Sequence, residues 1–297
     1  MTWEWKIGDP VDDSNGGSMD AQNWGHGSDG DENRGTGRDS YDFRIDEYAK
    51  KAWNLYMDFR EEEALHYINM ALDLDDRNAN NWNRKAIILE GMKRYAESED
   101  CYDRSLELSP KNLVYDNKAR MLYDWAAQLL EESKELPDGL DMLSDAYGKL
   151  IKAMNALPGK DSEEDRNKYL RLRDSINFYI DYERKYQKNL ESLKNYDKSE
   201  LFTITGMNFC KNDVTLTPGM PLRLVREPDN EYDPDAIAVY AEDEKIGYVA
   251  NKDYTKFELT SSASELQDKL QDDAKGEYLS YLDRYAEIQF AIGRIIV

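Results

Sequence analysis

The segment EYAKKAWNLYMDFREEEALHYINMALDLDD, residues 47–76, aligns without a gap to NWNRKAIILEGMKRYAESEDCYDRSLELSP, residues 81–110, at a spacing of 34 residues. The matched positions carry side chains of similar size, in the order expected for two consecutive helices. The matched pairs are Tyr48 and Trp82, Ala52 and Ala86, Leu55 and Leu89, Ala64 and Ser98, Ile68 and Tyr102, Ala71 and Ser105, and Leu72 and Leu106. Small residues let two helices approach closely, and large ones fill the gap between them. The repeat therefore predicts stacked helical hairpins.

The second copy resembles the tetratricopeptide repeat, which has aromatic, small and proline positions in a fixed order. In this chain those positions are Trp82, Ala86, Leu89, Ser98, Tyr102, Ser105 and Pro110. The resemblance implies a helical solenoid whose first helices line a concave groove for a protein or peptide partner. By register, the groove positions are Trp53, Tyr56 and Met57, then Asn83, Arg84, Ile87 and Glu90, then Val114 and Lys118.

Repeats of this family that bind chaperone C-termini use Lys and Asn at two groove positions, where this chain has Ala49 and Trp53. A groove that mixes aromatic, Asn and Arg side chains favours a short peptide or a partner helix instead. The alternative is that Trp53 and Tyr56 simply pack on neighbouring parts of the chain.

A third copy is interrupted. Residues 146–158, AYGKLIKAMNALP, repeat the second-helix half of the pattern, but roughly 14 residues are inserted before them. Pro137 and Gly139 predict a loop within this insertion. The next segment, which Asp161 or Ser162 can cap, predicts one long helix that closes the solenoid. Its apolar residues at helical spacing are Tyr169, Leu172, Ile176 and Ile180.

Composition limits the possible functions. A net charge of −22 argues against non-specific attraction to phosphate backbones and to anionic membranes. With only His26 and His66, most zinc sites and histidine-dependent nucleophiles are excluded. No apolar run approaches the roughly 18 residues of a membrane span. The first ten residues, MTWEWKIGDP, lack the pattern of a secretory signal, so we expect a cytoplasmic protein in which Cys101 and Cys210 are reduced.

Residues 1–40 are rich in Gly, Asp, Asn and Ser, and this composition predicts a disordered acidic tail. Trp3, Trp5 and Trp24 interrupt the polar sequence. They either dock within the chain or form a partner-binding motif with aromatic anchors.

Residues 199–297 change to strand-like patterns, rich in β-branched and aromatic residues and bounded by Gly, Pro, Asn and Asp. The strand-like runs are LFTITGM, PLRLVRE, AIAVYAE, KIGYVA and AEIQFAIGRIIV. One helix, roughly Ser264 to Leu282, is predicted to interrupt them. About five strands and a helix indicate a small β-barrel or β-sandwich.

Residues 226–240, REPDNEYDPDAIAVY, place four carboxylates within seven positions. A calcium loop is disfavoured, because Pro234 stands where an EF-hand needs Gly and Tyr240 stands where it needs Glu. A carboxylate pair for hydrolysis is a second possibility. Pure turn chemistry, built on Pro228 and Pro234 with their Asp and Asn neighbours, is a third.

A fourth interpretation is family resemblance, because this run and its flanks resemble the HIRAN domain. That module is found at the start of fork-remodelling helicases of the SNF2 class and in shorter prokaryotic proteins. The shared positions are Gly206, Phe209, Leu224, Arg226, Glu227, Pro228, Asn230, Tyr232, Asp233, Ala236, Ile237, Val239, Ile246, Gly247, Tyr248 and Val249. The resemblance covers about a third of the chain and implies a compact β-barrel related to the OB architecture.

In the helicases this domain captures the 3′ end of single-stranded DNA. The resemblance implies that Phe209 stacks on a base, that Tyr232 contacts the terminal nucleotide and that Asp233 accepts a hydrogen bond from its free 3′-hydroxyl. Stacking contributes about 1–3 kcal/mol per base. A carboxylate accepts a bond from a hydroxyl but repels a terminal phosphate, so one Asp can discriminate between the two ends.

The sequence departs from the helicase domains at two positions. Asn208 replaces an Arg before the stacking aromatic, and Asn251 replaces a Lys, with Lys252 one position further. Acids also outnumber bases from residue 199 onward, so no basic groove is evident. The candidate nucleic-acid contacts are Phe209, Tyr232, Asp233, Asn208, Arg226 and Lys252.

The predicted architecture is therefore an α+β protein with a tail (1–40), helical repeats (41–158), a capping helix (159–198) and an OB-like barrel (199–297). Three functional classes follow. The first is an adaptor that binds a protein and a nucleic-acid end, and the second is a protein-interaction module without nucleic-acid binding. The third, a metal-dependent phosphoesterase, lacks a histidine constellation, a P-loop and a nucleophile elbow. We expect neither a cofactor nor a catalytic residue.

Overall fold

The computed structural model describes residues 38–157, 163–210, 213–267, 269–270, 273–285 and 288–296. The tail predicted for residues 1–40 lies almost wholly outside these ranges. Six residues singled out above also lie outside them: Trp3, Trp5, Trp24, His26, Asp161 and Ser162. Within the described ranges, the predicted order of helical repeats followed by a small β-barrel is confirmed.

Among the described residues, the helical region contains seven long helices, and the first six pack as three consecutive hairpins. The seven helices are α1 (Arg38–Met57), α2 (Glu61–Leu74), α3 (Ala79–Gly91), α4 (Tyr95–Leu108), α5 (Asn112–Lys134), α6 (Leu140–Ala156) and α7 (Glu163–Leu193). The small residues of the repeat pattern, such as Ala52, Ala64, Ala86 and Ser98, are fully buried where helices meet. Among the described helices, none combines the length and the apolar character that a bilayer-spanning segment requires.

The turns inside the first two hairpins have the same backbone geometry. The Arg60 amide donates to the Leu55 carbonyl at 2.9 Å, and 34 residues later the Arg94 amide donates to the Leu89 carbonyl at 2.9 Å. Such a bond across a helix end satisfies a carbonyl that the helix leaves unpaired. The repetition of this bond shows that the aligned segments share their local structure as well as their residue pattern.

Each of these turns contains a residue in the left-handed backbone conformation. In the first hairpin this residue is Phe59, with φ 56°. That conformation costs a residue with a Cβ about 1–2 kcal/mol, and the exposed ring offers no compensating burial. We expect Phe59→Gly to raise the free energy of unfolding by about 0.5–1 kcal/mol after the entropy cost of glycine. Urea denaturation measures this change. Asp58→Gly is the control and should destabilise, since φ of Asp58 is not positive. A destabilised Phe59→Gly would contradict the prediction.

The third hairpin forms despite the predicted insertion. The first helix of this hairpin, α5, continues to Lys134, and a short loop at residues 135–139 leads into α6. The inserted residues therefore lengthen one helix and add a loop, and the two helices still pack through Ala126, Leu130, Leu143 and Ala146. The predicted long helix is confirmed as α7, which packs against α6.

The C-terminal region is a closed antiparallel barrel of six strands with the order β1-β4-β3-β2-β5-β6. The strands are β1 (Leu201–Thr205), β2 (Pro221–Arg226), β3 (Ile237–Ala241), β4 (Glu244–Val249), β5 (Ala274–Arg284) and β6 (Ile288–Ile296). A barrel leaves no unpaired strand edge. Side chains such as Phe202, Leu224, Ile237 and Val239 fill the interior.

The helix predicted from Ser264 to Leu282 is wrong over most of its length. Of the residues described there, only α8 (Ala263–Gln267) is helical, and the chain then enters β5. Alternate residues of β5 are buried from Gly276 through Arg284, which is the period of a strand. Pairing with β2 and β6 on both sides stabilises this strand, and it makes the barrel six-stranded.

The end of α7 packs directly against the barrel. Tyr186 and Leu193 of α7 share one apolar cluster with Leu201, Leu282 and Ile292 of the strands. This packing joins α7 to the barrel wall.

Candidate functional site

Exposed aromatic side chains concentrate in loops of the barrel. Among the described residues, the four most exposed large hydrophobic side chains are Tyr232 (95%), Phe209 (92%), Phe59 (86%) and Tyr254 (84%). Three of these belong to the barrel region. Exposing large rings is unfavourable in water, so such a group indicates an interaction surface.

A cavity of about 280 Å³, here called the Asp233 cavity, opens among these loops. Its lining residues are Thr205, Asn230, Tyr232, Asp233, Ala236, Tyr248, Val249, Asn251, Lys252 and Thr255. The predicted contacts Tyr232, Asp233 and Lys252 therefore meet at one place. Tyr254 follows Lys252 in the same turn.

Asn230 shapes the turn that carries Tyr232 and Asp233. Its Oδ1 accepts the backbone amides of Tyr232 at 3.0 Å and of Asp233 at 3.2 Å. Its Nδ2 donates to Oε2 of Glu227 at 3.0 Å. An Asn side chain that binds the amides two and three residues ahead fixes a tight turn. The turn predicted from the sequence therefore positions Tyr232 and Asp233. Turn formation and a binding site are compatible interpretations of this segment.

The carboxylate of Asp233 is held on both oxygens. Oδ1 accepts the backbone amide of Asp235 at 3.0 Å, and Oδ2 accepts Nδ2 of Asn251 at 2.9 Å. Asn251 is in turn fixed, because its Oδ1 accepts the amide and hydroxyl of Ser264 at 3.0 and 2.8 Å. Asn251, which replaces a Lys of the helicase domains, thus orients the carboxylate through a neutral amide.

Phe209 lies beside a second concavity, here called the Phe209 cleft. Its lining residues are Gly206, Phe209, Cys210, Lys245 and Tyr248. Gly206 has φ 72°, which a glycine adopts at no cost, and it turns the chain out of β1 into the single helical turn Met207–Phe209. At Gly247 a Cβ would lie 2.5 Å from the carbonyl oxygen of Thr205, so a glycine is needed where β4 meets β1.

Tyr248 joins the two concavities, since it lines both the Asp233 cavity and the Phe209 cleft. The Phe209 cleft and the Asp233 cavity are therefore adjacent and share Tyr248 as a wall residue. Both Phe209 and Asp233 are accessible to a ligand: the first is exposed and the second is half-buried.

A charged network supports Tyr248. Lys245 Nζ donates to Glu227 Oε1 and to the Tyr248 hydroxyl, each at 2.7 Å, and that hydroxyl lies 3.2 Å from Glu227 Oε2. Burial alone would raise the pKa of Glu227, but bonds from Lys245 and Asn230 outweigh it and lower that pKa. Burial likewise opposes the ammonium of Lys245, yet its hydrogen bonds to Glu227 and Tyr248 raise its pKa. Lys245 places a cation in the Phe209 cleft that the sequence analysis did not single out.

The remaining predicted nucleic-acid contacts occupy different places. Asn208 is exposed next to Phe209. Arg226 lines neither concavity, and its Nη1 lies 3.5 Å from the carbonyl oxygen of Gln267. Sequence reasoning did not select Thr205, Tyr248 or Thr255 as contacts. Of these three, Tyr248 is one of the positions that resemble the HIRAN domain. Thr205 and Thr255 are not among those positions, and only the folded chain brings them to the cavity.

The residues predicted to line a peptide groove lie on three helices, α1, α3 and α5. Trp53 and Tyr56 of α1 are half-buried, with ring centroids 5.5 Å apart. Asn83 of α3 accepts from Asn117 Nδ2 of α5 at 3.4 Å, while Ile87 packs against the main helical core.

The third helix of the groove is in a different register from the prediction. Lys118 donates to Asp103 on α4, and Val114 is buried. The α5 residues that contact α3 are instead Asn117 and Arg120. Nη2 of Arg120 lies 3.4 Å from Oε1 of Glu90. The cause is that α3 begins at Ala79 and α5 at Asn112, a spacing of 33 rather than 34.

Two charged groove residues are partly withdrawn from water. Burial lowers the pKa of Arg84, whose Nη1 donates to Asn81 Oδ1 at 3.2 Å. Burial also raises the pKa of Glu90, although Arg120 and the Tyr102 hydroxyl, which donates at 2.9 Å, act in the opposite direction. Two of the predicted groove residues of α3, Asn83 and Glu90, therefore make polar contacts with α5.

Comparison with known families confirms both predicted resemblances. Residues 79–112 match the tetratricopeptide repeat, and residues 199–257 match the HIRAN domain. Tetratricopeptide repeats imply protein interaction, and HIRAN domains imply DNA binding. Both are typically non-catalytic binding modules.

Similar solved structures cover parts of the chain. The type III secretion chaperone SycD of Yersinia enterocolitica, in complex with a peptide of the translocator YopD, is 16% identical, with 45% of this chain and 92% of that chain covered and a TM-score of 0.33. An alternative SycD dimer is 15% identical, with coverages of 46% and 93% and a TM-score of 0.33. A protein from Lactobacillus plantarum is 26% identical, with coverages of 33% and 93% and a TM-score of 0.23. No curated protein matches the chain.

Proposed function

We propose that this chain, which contains a tetratricopeptide repeat and a HIRAN domain, is a non-enzymatic adaptor. Its helical region binds a protein or peptide partner, and its barrel binds the 3′ end of single-stranded DNA in the Asp233 cavity. The observation that supports the proposal is that the cleft lined by Phe209 and the cavity lined by Asp233 are adjacent and share Tyr248.

The chemistry of this face suits a nucleotide end. An exposed ring stacks on any base, and stacking contributes about 1–3 kcal/mol per base. The carboxylate of Asp233 accepts a hydrogen bond from a hydroxyl, and its charge repels a terminal phosphate. Because acids outnumber bases in the barrel region, affinity has to come from these end contacts more than from the phosphate backbone.

The test is fluorescence anisotropy of the full chain with a 5′-labelled single strand that ends in a 3′-hydroxyl. Asp233→Ala is expected to weaken binding by about 10-fold or more, because a hydrogen bond to a charged group contributes about 1.5–3 kcal/mol. A strand that ends in a 3′-phosphate should bind the unaltered protein with a similar loss.

Asp229→Ala is the matched control. It removes a carboxylate from the same turn, but Asp229 is exposed and does not line the cavity, so its affinity should match that of the unaltered protein. Equal binding of the two strand ends, or full binding by Asp233→Ala, would reject end recognition. In that case the barrel would act as a protein-interaction module.

A further inference from the structure

The wall of the Asp233 cavity is nearly neutral. Of its ten lining residues, only Asp233 and Lys252 carry a charge. Six others present a hydroxyl or a side-chain amide: Thr205, Asn230, Tyr232, Tyr248, Asn251 and Thr255. Such a wall suits the hydroxyl groups of a sugar better than a phosphate group. Phosphate recognition relies on several cations or on clustered backbone amides.

The hydrogen bonds of Asp233 leave acceptor capacity on both oxygens. An ionised carboxylate has about four acceptor sites, two on each oxygen. The protein uses one site on Oδ1, through the Asp235 amide, and one on Oδ2, through Asn251. One acceptor site therefore remains on each oxygen of a carboxylate that lines the cavity.

The orientation of this carboxylate is fixed by neutral and backbone donors. Asn251 is held by Ser264, whose hydroxyl also lies 2.5 Å from Oδ2 of Asp235. None of these donors carries a positive charge, so the carboxylate remains a strong acceptor for the hydroxyls of a ligand.

We propose that the Asp233 cavity selects a terminal ribose, with the cis 2′- and 3′-hydroxyls donating one hydrogen bond to each oxygen of Asp233. The preferred ligand is then an RNA 3′ end. This inference rests on the proposed function, in which the cavity holds the 3′-terminal nucleotide. It adds that the sugar of that nucleotide is ribose. A carboxylate that recognises ribose hydroxyls is an established physical solution in nucleotide-binding proteins.

The test uses 5′-labelled strands of one sequence that differ only at the last nucleotide, with anisotropy of the full chain as the measurement. A DNA strand with one terminal ribonucleotide should bind about 10-fold more tightly than the all-DNA strand, because it makes one more hydrogen bond to a charged group. The preference should vanish in Asp233→Ala and persist in Asp229→Ala. Free adenosine 5′-monophosphate is the competitor, and it should displace the strand only at far higher concentration.

The outcomes separate the two proposals. Equal affinity for the ribose and deoxyribose ends would overturn the inference and leave 3′-end binding intact. If none of the strands binds, both proposals fail. A ribose preference that survives in Asp233→Ala would overturn the assigned contact. Displacement by the free nucleotide at the strand's own concentration would overturn the RNA end as the ligand.

Discussion

Glu183→Ala is expected to lower the free energy of unfolding by about 3–5 kcal/mol, because it leaves a buried guanidinium without its partner. Glu183 is 0% exposed, and its Oε2 accepts from Arg284 Nε at 3.1 Å and from the Tyr285 hydroxyl at 2.9 Å. Its Oε1 accepts from Gln187 at 2.8 Å. Both oxygens are therefore satisfied inside the structure.

The matched control is Glu191→Ala on the same helix. Glu191 pairs with Lys194 at 2.6 Å, but both side chains are largely exposed, so the loss should stay below about 1 kcal/mol. Urea denaturation of the two variants measures the difference. Glu183→Leu combined with Arg284→Met should recover most of the stability, since apolar pairs can replace buried ion pairs. Similar losses for Glu183→Ala and Glu191→Ala would contradict this account.

The buried pair also contacts the loop at residues 135–139. Arg284 of β5 donates to the carbonyl of Leu136, in the loop between α5 and α6, as well as to Glu183 of α7. One guanidinium thus binds the third hairpin, the last helix and the barrel. We expect these three elements to unfold as one unit.

Phe202→Ala should lower the free energy of unfolding by about 3–5 kcal/mol, because it empties a large volume in the barrel core. Phe202 lies in β1, is 0% exposed and packs with Leu222, Leu224 and Ile237. Thermal or urea unfolding measures the loss. A loss below 1 kcal/mol would show that the barrel core collapses around the missing ring.

Phe209→Ala makes the same chemical change on an exposed ring of the same barrel. Its stability should stay within about 0.5 kcal/mol of the unaltered protein, as for other surface changes. Its affinity for a single-stranded 3′ end should fall about 10-fold, because one stacking contact of 1–3 kcal/mol is lost. The two variants separate folding from function: one changes stability and the other changes binding. Unchanged binding by Phe209→Ala would contradict the stacking role.

Local patterns were sufficient for much of the architecture. The helices of the first two hairpins follow from side chains three and four residues apart, and strands β1 to β4 follow from short β-branched runs between turn residues. The same reasoning gave a wrong prediction for β5, which was expected to be helical. Its Tyr and Leu residues fit either period, and only pairing with β2 and β6 selects the strand.

The groove register shows a second limit. A spacing of 34 residues places Lys118 in the groove, but α5 begins one residue early and turns Lys118 toward Asp103. One residue rotates a helix by about 100°, so a small change in loop length moves a side chain to another face. Packing of Ala119, which is fully buried, decides that rotation.

By itself, the sequence determined the two modules and their order, because repeats and motifs are properties of neighbours along the chain. It also singled out Phe209, Tyr232 and Asp233 as candidate contacts. Only the tertiary structure decided that the Phe209 cleft and the Asp233 cavity share Tyr248, and that Asn251 orients Asp233. It alone also pairs Glu183 with Arg284 across 101 residues. Contacts of this kind depend on how strands and helices are arranged in space, and no local pattern encodes that arrangement.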